Sequence, residues 1–186
     1  MQKLFKIIFY KWMGWRSSIT IEQPEKSIIC VAPHTSNLDF FIGIIYREAA
    51  NLNSYFLIKK DWFFWPVGWF LRKISGIPVN RTSNEHLTDS LAAIFKTKDN
   101  IHICVTPEGT RSLNNKWKKG FYFIALKANI PIQLYYINYR DKVVCCEKTV
   151  YPTGNIKEDF KVINEYYEKT KFLAKYPEKF SPNEIF

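Results

Sequence analysis

The chain has 186 residues, with 27 Lys and Arg against 17 Asp and Glu, a net charge of +10 and 17% aromatic residues. That length buries a core without disulfides or a structural metal and argues against two full domains. The positive balance suits an anionic partner, whether nucleic acid, a lipid surface or an acidic carrier, and the aromatic excess suits an interface or a ligand channel.

In chain order, "MQKLFKIIFYKWMGW" is amphipathic. On a helical wheel Leu4, Phe5, Ile8, Phe9, Trp12 and Trp15 gather on one side and Lys3, Lys6 and Tyr10 on the other. It lacks both the roughly 20 uninterrupted apolar residues of a spanning helix and a signal-peptide cleavage site. Two placements remain: lying in a membrane interface, or packing its stripe on the domain's own core.

"SIICVAP" (27–33) is predicted as a buried strand, and "SNLDFFIGIIYREAANL" (36–52) as a helix after a cap. "SYFLIK" is the next strand. "DWFFWPVGWFLRKIS" (61–75) contains Pro66 and Gly68 and reads as two short helical pieces or a helical loop. After "IPVN", Thr82 and Glu85 form a capping box for a helix to about Lys98. "IHICVT" (101–106) is a strand that runs into the polar loop "PEGTRSLNNK". A helix near 119–128, strands "IPIQLYYINY" and "KVVCCEKTV", and a charged helix from about Ile156 to Phe172 follow.

Strands alternating with helices predict a single-domain α/β fold, a mixed sheet flanked by helices. The expected division is an amphipathic membrane-interface helix at 1–17, the main domain at 18–175 and a tail at 176–186. Cys30 and Cys104 sit in β-branched apolar runs and Cys145 and Cys146 are adjacent. They form no disulfide framework or metal spacing, so they read as reduced core residues of a cytosolic chain. His86 and His102 read as structural. With no P-loop, dinucleotide fingerprint or zinc pattern, neither a cofactor nor a metal is expected.

"APHTSNLDFF" (32–41) places His34 five residues before Asp39. One account is purely structural: Ser36 caps the helix, Asp39 returns a hydrogen bond, and His34 is a loop residue. The other is chemical. Residues five apart on a continuous helix point about 140° away from each other, but a break at Pro33 and Ser36 lets His34 fold back onto the first turn. A carboxylate holding one imidazole nitrogen leaves the other to take a proton. The loop "TPEGTRS" (106–112) leaves a strand at its C-terminal end, where open α/β sheets place ligands. It carries Glu108, Gly109, Thr110 and Arg111. Arg111 suits a phosphate, and a surface turn with an internal Glu–Arg pair is the plainer account. "GIPVNRT" (76–82) adds Arg81 at the end of a third strand.

Together "HTSNLD", "GIPVNR", "TPEGTRS" and "IPIQL" match in order and spacing the four blocks of the glycerolipid acyltransferases, and the chain resembles that family, the 1-acylglycerol-3-phosphate acyltransferases and their relatives, over about residues 28–137. The resemblance implies acyl transfer from a thioester of acyl carrier protein or coenzyme A to a hydroxyl of a lysophospholipid, with 1-acylglycerol-3-phosphate converted to phosphatidic acid. It implies that His34 is the base and Asp39 orients it. It places Arg81, Glu108, Gly109, Thr110 and Arg111 in the acceptor site, with Lys60 near the phosphate. The chain departs from the pattern at Thr106, where an aromatic or aliphatic residue is usual, and in the fourth block, which lacks its second proline and carries Gln133. The region before the first block is shorter than in many relatives, leaving one amphipathic helix to hold the membrane.

Trp62, Phe63, Trp65, Trp69 and Phe70, flanked by Lys59, Lys60, Arg72 and Lys73, suit the headgroup level of a bilayer as well as they suit a core helix. These features give a peripheral or monotopic enzyme at the cytoplasmic face of a membrane. Its partners are a lysophospholipid, the acyl thioester and the membrane surface, and nucleic acid is not among them. The rival readings are O-acylation of an amino-acid-derived lipid and a non-catalytic lipid-binding protein.

Overall fold

The computed structural model describes residues 2–79 and 84–184, the side chains of residues 84–86 excepted. Seven strands among the described residues form one sheet: β1 (Arg16–Ile19), β2 (Lys26–Val31), β3 (Ser54–Lys59), β4 (Gly76–Val79), β5 (Ile101–Val105), β6 (Ile132–Asn138) and β7 (Val143–Val150). Their spatial order is β1-β7-β6-β2-β5-β3-β4. All neighbours are parallel except the β6–β7 pair. This is the mixed sheet flanked by helices that the alternation of patterns predicts.

Each central strand is apolar on both faces, as a sheet covered on both sides requires. From β2, Ile28 and Cys30 enter one core with Ile101, Ile103, Ile132 and Leu134. That core is covered by α5 (Gly120–Ala128), α6 (Ile156–Thr170) and Leu91 and Phe95 of α4 (Asn84–Thr97). Ile29 faces the other way, into a core closed by α2 (Asn37–Ala50) and the N-terminal helix.

The N-terminal helix differs from the wheel. α1 (Gln2–Lys6) continues as a π-helical stretch, Ile7–Trp12. Wider turns break the 3.6-residue stripe. Phe9 is buried against Tyr46 and Trp15, whereas Leu4 and Trp12 are 54% and 75% exposed. The helix therefore packs on the domain's own core with one part of its apolar surface and leaves another part open. It is also shorter than the expected 1–17: residues from Arg16 form β1, which pairs with β7 at the sheet edge.

The segment expected as a tail docks on the domain. Phe180 is buried and stacks edge-on with Trp117, the Trp117 indole N–H donates to the Ser181 carbonyl at 3.1 Å, and Asn183 bonds Asn164. Its polar groups find protein partners instead of remaining free of the domain. All four cysteines are free thiols, three of them buried.

Candidate active site

Strands β2, β5, β3 and β4 lie side by side and run parallel, so their C-terminal ends open on one edge. "HTSNLD" follows β2, "PEGTRS" follows β5, Lys60 follows β3, and Arg81 follows β4 in sequence. Topology thus gathers segments that are distant in the chain. Arg81 itself lies outside the described residues, as does the Thr82 side of the expected capping box; the His86 side chain is likewise not described.

The loop after β2 is built around one carboxylate. Ser36 sits in extended conformation as the N-cap of α2, its hydroxyl accepting from the Leu38 amide at 3.2 Å. Asp39 Oδ2 accepts the amides of Thr35 and Ser36, each at 3.0 Å, and His34 Nδ1 donates to the same oxygen at 3.0 Å. The cap and the His–Asp pair are one structure. A carboxylate is an acceptor only, so the His34 nitrogen facing it, Nδ1, is the donor, and in the neutral tautomer of the ring Nε2 carries the lone pair. A fourth donor, the Tyr139 hydroxyl, reaches Asp39 Oδ1. Sequence patterns gave no sign of it, because Tyr139 lies 100 residues away, just past the end of β6.

His34 and Asp39 line a cavity of about 540 Å³ between α2 and the sheet. Beyond the dyad its wall is mostly apolar: Phe40, Gly43 and Tyr46 of α2, Ile29 and Val31 of β2, and Ile137 of β6. Thr106, Gly109, Thr110 and Arg111 line it from the loop after β5. Arg111 is exposed and Thr110 half-buried. Gly109 has φ +68°, the left-handed region open to glycine at little cost, and its amide bonds the Thr106 carbonyl to close the turn. The turn is braced from behind by Asn114, whose side chain donates to the Glu108 carbonyl at 2.8 Å.

Glu108 is placed differently from an acceptor-facing residue. It is 1% exposed and is not among the cavity-lining residues; its Oε1 accepts the His34 amide at 2.6 Å. Burial pushes its carboxyl up to about 8, the donated amide pulling it back only in part. Lys60 is exposed in a short helical turn and does not line the cavity either. Its neighbour Lys59 does, in an ion pair with Asp61. The sequence offered two adjacent lysines, and where the strand ends decides which one faces inward.

Trp62, Val67 and Leu71 carry the cavity wall into the connection between β3 and β4. The same connection exposes Phe64, Trp65, Trp69 and Phe70, with Trp65 87% exposed. Phe63, by contrast, is half-buried beneath the Arg72 guanidinium. No helix among the described residues is long and apolar enough to cross a membrane.

The Acyltransferase family model matches residues 16–137, from β1 into β6. Among solved structures the chain is similar to the 1-acyl-sn-glycerophosphate (LPA) acyltransferase PlsC from Thermotoga maritima. The identity is 19% and the TM-score 0.59, over 91% of this chain and 79% of that one. At that identity the likeness speaks for the fold. No curated protein sequence matches the chain.

Proposed function

The chain belongs to the Acyltransferase family, and on that premise we propose that it transfers an acyl chain from a thioester to the free hydroxyl of a lysophospholipid, 1-acylglycerol-3-phosphate, forming phosphatidic acid at a membrane surface. The observation that carries this reading is the His34 Nδ1–Asp39 contact of 3.0 Å on the wall of a largely apolar cavity.

In the proposed reaction the acceptor hydroxyl gives its proton to His34 Nε2 as its oxygen attacks the thioester carbonyl. Collapse of the tetrahedral adduct breaks the C–S bond, and the departing thiolate takes the proton back from the imidazolium. Asp39 holds the imidazole in the required tautomer and offsets its transient charge. The acyl chain lies in the apolar cavity, where each buried methylene is worth about 0.8 kcal/mol. Arg111 and Arg81, which follows β4 in sequence, bind the acceptor phosphate, with Thr110 beside it and Gly109 shaping the turn. Lys59, with Lys60 behind it, adds positive charge at the mouth. Glu108 acts on the acceptor indirectly, by fixing the His34 backbone. The donor is a thioester of acyl carrier protein or coenzyme A, both acidic, which suits a chain of net charge +10. No resident cofactor is needed to balance the step.

The test is purified protein with an acyl thioester and lysophosphatidic acid in vesicles, scored by mass spectrometry of the lipid product. Phosphatidic acid that disappears in His34→Ala supports the reading. Acylation of phosphate-free acceptors alone would move the substrate to an amino-acid-derived lipid, and thioester consumption unaffected by His34→Ala would remove the base.

A further inference from the structure

Asp39 Oδ2 receives three donors from its own loop, and these, with the Ser36 hydroxyl, account for the helix cap and the imidazole contact. Oδ1 receives its donor from elsewhere in the fold. Tyr139 is the first residue after β6, the strand that pairs with β2, and from there its hydroxyl reaches over the loop to Oδ1. The ring is half-buried and meets Trp15 edge-on at 5.5 Å, while the Tyr139 amide donates to the Leu173 carbonyl at 2.8 Å. Trp15 is itself buried beside Phe9 at the base of the N-terminal helix.

A carboxylate gripped at one oxygen can still rock, because the terminal torsion of aspartate is broad. A donor on the second oxygen fixes its plane and draws charge away from the oxygen that faces the imidazole. Burial and the adjacent carboxylate push the Tyr139 phenol far above the ordinary tyrosine range, so it remains a donor.

We propose that Tyr139 is a positioning residue for the His34–Asp39 pair, holding the Asp39 carboxylate through Oδ1, and that Trp15 holds Tyr139, so that the seating of the N-terminal helix is transmitted to the dyad. The proposal rests on the reading of His34 as general base. It adds a physical line from the segment at the protein's edge to the reacting nitrogen: Phe9, Trp15, Tyr139, Asp39, His34.

Tyr139→Phe isolates the hydroxyl, because the ring and its contact with Trp15 remain. In the full chain it is expected to lower kcat about tenfold, the rate equivalent of one charge-assisted hydrogen bond. The KM values for thioester and acceptor and the thermal midpoint should stay near those of the parent. The second readout is the imidazole N–H proton resonance of His34, assigned by its loss in His34→Gln, which should move in Tyr139→Phe. A resonance and kcat both unchanged would overturn the proposal, and so would a kcat loss matched by a fall in thermal midpoint with the resonance unmoved. Trp15→Ala should reproduce both effects and Trp15→Phe restore them; a silent Trp15→Ala would overturn the link to the helix. The resonance is read without turnover, so if His34→Ala retained activity the general-base reading would fail while the Tyr139–Asp39–His34 linkage was still measured.

Discussion

Glu108, on the loop after β5, accepts the backbone N–H of His34, on the loop after β2, at 2.6 Å. One buried carboxyl thus ties the turn that carries Arg111 to the imidazole loop. Its other oxygen, Oε2, meets no protein partner among the described residues.

Burial raises the Glu108 carboxyl from its ordinary 4.5 to about 8, so over that interval the folded chain holds a proton that the unfolded chain releases. Its contribution to stability is present in full below about pH 4.5 and is lost as pH rises through about 8. Glu108→Gln keeps an acceptor for the His34 amide and cannot ionise. The variant is expected to show a flatter fall in thermal midpoint from pH 5 to 9 than the parent, measured by calorimetry. A parent and variant with parallel profiles would mean that the carboxyl does not titrate in that range.

Asp39 caps α2 and, in the proposed reaction, orients His34, and one substitution separates the two. In Asp39→Asn the amide oxygen can still accept the Thr35 and Ser36 amides, so helix entry is retained, but the uncharged side chain no longer stabilises an imidazolium. Acyl transfer is expected to fall by about 10²-fold or more, with less than about 1 kcal/mol lost from stability. Steady-state rates alongside urea melts check both. Full activity in the variant would reduce Asp39 to its capping role.

The two readings of "HTSNLD" that the sequence left open prove compatible, because a capping carboxylate and a histidine-orienting carboxylate require the same turn. Periodicity captured the strands and helices whose patterns are local, including the helix break around Pro66. It failed at Arg16–Ile19, whose first two residues were read as the end of a helix, because an edge strand with polar exposed positions has no apolar signature of its own. It also missed the docking of residues near Phe180 and the hydroxyl of Tyr139 on Asp39. Both are contacts between segments far apart in sequence, and only the assembled sheet defines them. Glu108 was found by its motif but not placed, since the motif carries no information about which residues of a turn face inward.

Trp65 and Trp69 are 87% and 59% exposed on the connection that also supplies Trp62 to the cavity wall. Large apolar side chains buried in an interface contribute about 1.5–3 kcal/mol each. Replacing both by Ala is expected to weaken binding to anionic vesicles by about tenfold or more, scored by co-sedimentation. Because neither ring reaches the dyad, turnover of a short-chain acceptor dissolved in water should remain near the parent level. Equal vesicle binding in parent and variant would place the lipid contact on another surface, such as the one that exposes Leu4 and Trp12.

At the opposite end of the sheet, the second residues of β2, β5 and β6, Ser27, His102 and Gln133, form a buried polar trio. The Ser27 hydroxyl donates to Gln133 Oε1 at 2.7 Å, so its oxygen accepts from His102 Nδ1 at 2.8 Å. Burial lowers the His102 pKa from its ordinary 6.5. Where the folded value lies below the unfolded one, the unfolded chain binds the extra proton, and stability is lost as pH falls beneath about 6.5. This slope is opposite in sign to that of Glu108, so variants are needed to separate the two. His102→Gln retains a donor for Ser27 without a titrating ring. It should cost stability at pH 8, through packing, and cost less at pH 5.5, where the parent loses the contribution of its ring to protonation of the unfolded chain. A parent-to-variant gap equal at the two pH values would assign the acid sensitivity to another group.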